Sequence, residues 1–263
     1  MDVLTPRSLD EALRLKAEQP EAVPIQGGTD VMVDLNFDRA RPPALLNLNE
    51  VPELRGWSRE NGTLRLASGL TYAQAMQLPL AEVALALAEA SRTVGGPQIR
   101  NRGTIGGNLG TSSPAGDALP PLLVYGAEVE LASTRGSRTV PLVEFLVGPK
   151  RNTLEPDELI VAARVKAGGP RQTFMKVGPR NAMVIAVVSL AVVVDEEHGE
   201  VRAAFGSAGP VPGLVTAPLD ERDELPERVA AAASPIDDVR GTANYRRHAL
   251  RVLTARALER CLA

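Results

Sequence analysis

The chain of 263 residues carries 29 basic and 32 acidic side chains, a formal net charge of −3, with 44% hydrophobic and 23% charged residues. This is the composition of a protein with a substantial core in two or three subdomains, and the even charge balance argues against a nucleic-acid-binding protein. One cysteine, Cys261, and two histidines, His198 and His248, exclude a disulfide framework and any Cys-ligated iron–sulfur cluster held by this chain alone; they leave a His-based metal centre or a Ser-His-Asp triad almost nothing to draw on.

Met1 to Pro6 show no basic region followed by an apolar one, and the longest apolar run, Val184 to Val194 broken by Ser189, is about half of the ~20 residues a membrane helix needs. A cytoplasmic protein without a membrane span is expected. In chain order, Ser8 and Glu11 make a capping box for a helix with Leu9, Ala12, Leu13 and Ala17 on one face. Strands are expected at Val23 to Gln26, Leu45 to Leu48 and Leu64 to Ser68. Thr71 and Gln74 repeat the capping-box spacing, and Ala81 to Arg92 reads as one alanine-rich helix. The stretch Gly95 to Gly116 has no convincing period. Asp117 is placed to cap a helix containing Leu119, Leu122 and Leu123, with Pro120 and Pro121 tolerated in its first turn. Strands follow at Glu128 to Ala132, Arg138 to Pro141, Leu159 to Val165 and Thr173 to Val177. A hairpin is then expected, in which Val184 to Val194 and Val201 to Phe205 flank a charged turn holding His198. Residues 206–225, rich in Gly, Pro and Asp, read as an irregular connection. Helices at Pro226 to Ala233 and Ala243 to Leu262 close the chain, the last with Tyr245, Ala249, Val252, Leu253 and Leu258 at helical spacing. The result is an α+β chain in three parts, residues 1–55, 56–166 and 167–263.

Two segments carry nearly all the chemical information. Paired glycines after a strand, in Ile25-Gln26-Gly27-Gly28-Thr29-Asp30-Val31, let successive N–H groups converge on an anion, although a lone Gly-Gly is more often a tight turn. The second, Gly95 to Asp117, holds seven glycines in 23 residues, interleaved with Thr, Ser, Asn and the apolar Ile99, Ile105 and Leu109. A linker does not mix apolar residues with glycine in this way, so backbone has to pass close to something. It contains neither a Walker A sequence nor Gly-x-Gly-x-x-Gly, which disfavours a mononucleotide P-loop and an ordinary dinucleotide fold.

The run Ile99-Arg100-Asn101-Arg102-Gly103-Thr104-Ile105-Gly106-Gly107-Asn108, followed by Ser113-Pro114-Ala115-Gly116-Asp117, closely resembles the signature of the FAD-binding medium subunit of molybdenum hydroxylases. Gly27-Gly28-Thr29-Asp30 and the C-terminal Pro235 to Arg247 match that family's first and last motifs, so the resemblance spans the chain. It implies a flavin fold of the vanillyl-alcohol-oxidase (PCMH) type in two subdomains, with a separate C-terminal α+β domain whose sheet is backed by helices. It also implies that Ile25 to Val31 and Thr104, Ile105, Gly106, Gly107 and Asn108 clamp the FAD pyrophosphate from two sides. Asp117 would accept from a ribose or adenine-side group, or else simply cap its helix; Ser113 would approach the cofactor, and Ile160 would touch the adenine side to within one position. Lys176 matches a lysine close to the flavin, and is otherwise a solvated strand lysine. Relatives often carry Asp where Val184 stands, so any role of that acid is missing here.

The function implied is an electron-transfer subunit. It would bind FAD non-covalently, have no catalytic residue or metal of its own, and pass electrons from iron–sulfur clusters to NAD+, oxygen or a quinone. Those clusters would lie on a small 2Fe-2S subunit and the molybdopterin on a large subunit, in a dimer of heterotrimers. Two other readings are weighed against it. A stand-alone FAD-dependent oxidase or reductase of the same fold would need a proton donor and basic residues for a charged substrate, and no such constellation is visible. A scaffold that has lost its flavin would not retain intact glycine motifs. Asp237, Asp238, Arg240, Tyr245 and Arg246 are expected to set up the last helix, and His248 to pack or face solvent.

Overall fold

The computed structural model describes residues 1–166, 169 and 171–263, and confirms an α+β architecture. The expected start of the C-terminal part at residue 167 lies outside the described residues. The first unit runs β1 (Asp2–Leu4), α1 (Leu9–Glu18), β2 (Val23–Ile25), α2 (Val31–Asn36) and β3 (Ala44–Asn47), with β3 central in a parallel sheet of order β1-β3-β2. Ser8 caps α1 as expected, its hydroxyl accepting from the Glu11 amide at 3.2 Å. Lys16 of α1 is buried, and its ammonium is satisfied by the carbonyls of Pro20 and Ala22, both at 2.7 Å.

The second unit contains β4 (Trp57–Glu60), β5 (Thr63–Ala67), α3 (Tyr72–Ala75), α4 (Leu80–Val83), α5 (Leu85–Thr93), α6 (Pro97–Arg102), α7 (Ile105–Thr111) and α8 (Leu119–Val124). It continues through β6 (Glu128–Ser133), β7 (Gly136–Pro141), α9 (Leu142–Phe145), β8 (Leu146–Gly148), β9 (Arg151–Asn152) and β10 (Leu159–Lys166). Its antiparallel sheet has the order β4-β5-β10-β6-β7, with a register shift between Ile160 and Ala162. The third unit is an antiparallel meander, β11 (Gln172–Val177), β12 (Val188–Asp195), β13 (Glu200–Gly206) and β14 (Gly213–Pro218), followed by α10 (Leu225–Ala232) and α11 (Ala243–Leu262). No helix among the described residues is long and apolar enough to cross a membrane.

Burial on both faces explains why β12 is apolar from Leu190 to Val194. Leu190, Val192 and Val194 face α10 and α11 with Leu225, Val229, Leu250 and Leu253, while Ala191 and Val193 join the core of the second unit with Phe174, Leu122 and Val129. Each such buried Val, Leu or Phe side chain stabilises by roughly 1.5–3 kcal/mol, so the sheet is held from both faces. Polar contacts run along the same seam. The Gln172 amide oxygen accepts from the Ala86 amide at 3.0 Å and from the Tyr125 hydroxyl. The Glu89 carboxylate accepts from Thr173 Oγ1 at 2.9 Å and the Phe174 amide at 2.7 Å.

Several expectations are corrected. The periodless segment folds as α6 and α7: Pro97 opens α6, Gly103 ends it, and Thr104 caps α7 by accepting from the Gly107 amide at 3.0 Å. Asp117 does not cap α8, whose N-cap is Ala118 without a side-chain cap. The expected helix Ala81 to Arg92 breaks at Ala84 into α4 and α5. The irregular stretch 206–225 contains β14, and the hairpin strand starts at Val188 rather than Val184. On α11 the buried face is Arg246, Ala249, Leu250, Leu253 and Ala257; Tyr245 is 48% exposed. Arg246 reaches the Ser207 carbonyl and Asp238, which satisfies its buried charge. Trp57 packs half-buried against the core, while His198 and His248 are exposed.

Candidate functional site

A cleft of about 550 Å³ runs along the glycine segments, inside the ~300–1,000 Å³ range of ligand sites. Its first wall is the turn from β2 into α2. Gly28 takes a left-handed φ of 73° there, and a side chain on Gly27 would stand 2.1 Å from the Arg102 carbonyl oxygen. The two glycine segments therefore touch backbone to backbone. The Arg102 guanidinium donates to the Gln26 carbonyl at 3.1 Å, and Thr111 Oγ1 to the Asp30 carboxylate at 3.1 Å, so the loop is tied at both ends. Among the described residues, the amides of Gly27, Gly28, Thr29, Asp30 and Val31 have no hydrogen-bond acceptor in the protein. Five successive unengaged donors on a cleft wall are what an anion needs.

The second wall works differently. At the start of α7 the Ile105 amide donates to the Leu70 carbonyl at 2.9 Å and the Gly106 amide to the Ser68 carbonyl at 2.8 Å. With the Gly107 amide on Thr104 Oγ1, the first turn has no free N–H group. A side chain on Gly106 would lie 2.5 Å from Ser68 Cβ, so this glycine lets the helix close onto β5. A side chain on Gly107 would meet only Thr104 Oγ1, at 3.1 Å, and would project into the cleft. The second motif thus provides bare surface and hydroxyls rather than an amide nest.

Of the residues singled out in sequence, Ile25 to Val31, Thr104, Gly106, Gly107, Asn108, Ser113, Asp117 and Ile160 all line the cleft. Ile105 does not; it is fully buried in the core beneath it. Lys176 is not on the wall either, and it is not solvated: its ammonium lies behind Asp117, 2.6 Å from Oδ2. Burial pushes the Asp117 carboxyl upward, opposed by the charge and hydrogen bond of Lys176 and by the Thr93 hydroxyl. Sequence reasoning missed Ser68, Tyr72, Val94, Ile99 and Ile185 on the wall. The Tyr72 phenol is pushed strongly upward by burial and then by Asp117, so it stays neutral.

Ser68 Oγ, Asn108 Oδ1 and Asp117 Oδ1 are buried without a partner among the described residues, and all three residues line the cleft. Free amides on one wall, unmatched side-chain oxygens around it, and apolar Val94, Ile99, Leu159 and Ile160 between them fit a ligand with phosphates, hydroxyls and flat rings, as FAD has. Among the described residues no group of three or more His, Cys, Asp or Glu lies together to hold a metal.

Residues 1–165 match the family described as the FAD binding domain in molybdopterin dehydrogenase. The xanthine dehydrogenase FAD-binding subunit of Escherichia coli O157:H7 is 31% identical over 97% of this chain and 94% of its own length. The nicotinate dehydrogenase FAD-subunit of Eubacterium barkeri is 33% identical over 74% of this chain and 69% of its own. Among solved structures, a chain of carbon monoxide dehydrogenase from Hydrogenophaga pseudoflava superposes with a TM-score of 0.91 at 26% identity, covering 100% of this chain and 97% of that one.

Proposed function

Because the chain belongs to the family of FAD-binding domains of molybdopterin dehydrogenases, we propose that it is the FAD-binding electron-transfer subunit of such an enzyme. The observation that carries this reading is the run of five unengaged amides from Gly27 to Val31, which would hold the pyrophosphate without a lysine or arginine. Thr104 and Ser113 hydroxyls would add donors from the opposite wall, and Gly107 would give the phosphates room. Ile160 and Leu159 would flank the adenine side. The redox ring belongs at the open end, where Ile99 and Ile185 line the cleft while 39% and 62% exposed, since donor and acceptor must both reach it. Asp117, whose partner Lys176 matches a lysine close to the flavin, would accept through Oδ1 from a cofactor hydroxyl near that ring, in place of the ribose or adenine-side group that the resemblance implies.

Bound FAD supplies the redox chemistry, and this chain binds it, orients it and shields part of it from water. Attachment is non-covalent. Tyr72 is the only His, Cys or Tyr among the described residues lining the cleft, and its phenol is held neutral and unreactive by burial. With one cysteine in the chain, the clusters lie on a small 2Fe-2S subunit and the molybdopterin on a large one, assembled as a dimer of heterotrimers. NAD+, oxygen or a quinone takes the electrons.

The visible spectrum of the purified chain, with flavin quantified against protein, tests the reading. One FAD per chain is the expected result. A colourless protein whose apo form takes up no FAD at micromolar concentrations would overturn it.

A further inference from the structure

Behind the cleft wall lies an ion pair whose members come from distant parts of the chain. Asp117 ends the glycine-rich segment, and Lys176 sits on β11. The Lys176 ammonium donates to Asp117 Oδ2 at 2.6 Å and to the Thr93 carbonyl at 3.3 Å, and the two side chains are 6% (Lys176) and 8% (Asp117) exposed. Asp117 lines the cleft while Lys176 does not, so the carboxylate stands between the ammonium and whatever fills the cleft. A buried charge beside a redox group acts through a medium that screens it weakly, whereas a tight pair presents only a dipole.

We propose that Asp117 is a tuning residue: by holding Lys176 in a neutral pair, it withholds positive charge from the bound flavin and lowers the site's preference for the reduced cofactor. This rests on the FAD reading above. The neighbours of the pair support it. Tyr72 from α3 and Thr93 from α5 face Asp117, and neither can neutralise an unmasked ammonium, because the Tyr72 phenol is driven toward its neutral form. Burial drives the Asp117 carboxyl toward protonation once Lys176 is gone, so removing the lysine leaves the wall neutral as well. Loss of Asp117 alone leaves the Lys176 ammonium still donating to the Thr93 carbonyl at 3.3 Å but with no carboxylate against it, and this is what unmasks a charge.

The test compares wild type, Asp117→Asn, Lys176→Met and the double variant as full-length apoproteins. Each is titrated anaerobically with oxidised and with two-electron-reduced FAD, and the ratio of the two affinities is read. Asp117→Asn alone should shift the ratio toward reduced FAD by tenfold or more, equivalent to ~30 mV for a two-electron couple, while Lys176→Met and the double variant stay within about threefold of wild type. A merely structural role would move all three together. An unchanged ratio in Asp117→Asn overturns the proposal, as does a loss of tenfold or more in Lys176→Met, which would mean that the lysine acts as a free cation. If Asp117→Asn fails to fold by circular dichroism, the Lys176→Met result decides alone. Failure of wild type to bind FAD refutes the FAD reading instead, and is seen before any variant is compared.

Discussion

Adjacent glycines in one motif give the sharpest test of where the phosphates lie. At Gly107 an added side chain meets only Thr104 Oγ1 at 3.1 Å and otherwise enters the cleft. Replacing glycine in a helix by a residue with a side chain is worth up to ~1 kcal/mol, so Gly107→Val should leave apoprotein stability unchanged or slightly raised. The branched side chain occupies space the pyrophosphate needs. Displacing it from one or two charge-assisted hydrogen bonds, each about 1.5–3 kcal/mol, weakens FAD by at least tenfold to a hundredfold. At Gly106 the added carbon would lie 2.5 Å from Ser68 Cβ and 2.7 Å from its carbonyl oxygen. Backbone cannot yield cheaply, and Gly106→Ala should cost ~1–3 kcal/mol, with a fall in Tm of about 2–4 °C per kcal/mol. Flavin fluorescence titration and thermal unfolding of the apoproteins, followed by far-UV circular dichroism, read both effects. Wild-type FAD affinity in Gly107→Val would refute this placement of the phosphates, even if its fold is intact.

Acid should release all flavin into the supernatant after precipitation, since Tyr72 is a poor nucleophile; colour left in the pellet would contradict non-covalent binding. Gln172→Leu strips the acceptor from the buried Tyr125 hydroxyl and the Ala86 amide, and should lower stability in urea by about 2–4 kcal/mol; a loss under 1 kcal/mol would mean that the seam relaxes around it. Hydrogen bonds from Arg138 hold the Glu158 carboxyl below its ordinary range despite burial, so its stabilisation is complete above about pH 4.3 and is lost as pH falls through its lower folded value. Tm should therefore drop less steeply in Glu158→Gln than in wild type on acidification below that pH, and parallel curves would show that the pair contributes nothing.

What was legible in sequence is what local chemistry dictates. The capping box at Thr71 forms, Ser8 caps α1 although Glu11 accepts from the Arg7 amide instead of the Ser8 amide, and the apolar runs of β12 and β13 pair across the charged turn. The glycine runs located the cleft because each marks a close approach, Gly27 to Arg102 and Gly106 to Ser68. Helices α6 and α7 escaped detection since both are short and α7 is glycine-rich; they are fixed by Pro97, Thr104 and the closure of α7 onto β5 rather than by an apolar period. β14 is half-exposed at a sheet edge, and although its burial alternates, its residues Gly213-Leu214-Val215-Thr216-Ala217-Pro218 carry no matching polar and apolar alternation. Ser68, Tyr72 and Ile185 reach the cleft through long-range packing that no local pattern encodes. The same holds for the pairing of Asp117 with Lys176, 59 residues apart in the chain.

On the proposed function, this chain relays electrons and does not itself oxidise an organic substrate. Reconstitution tests it directly: substrate turnover is measured with the chain alone, with the cluster-bearing or the molybdopterin-bearing subunit, and with both. Turnover of a purine, aldehyde or N-heteroaromatic substrate should appear only when both partners are present, the chain alone showing at most slow NADH oxidation with an artificial dye. Full-rate substrate oxidation by the isolated chain would contradict the account and identify a stand-alone oxidase.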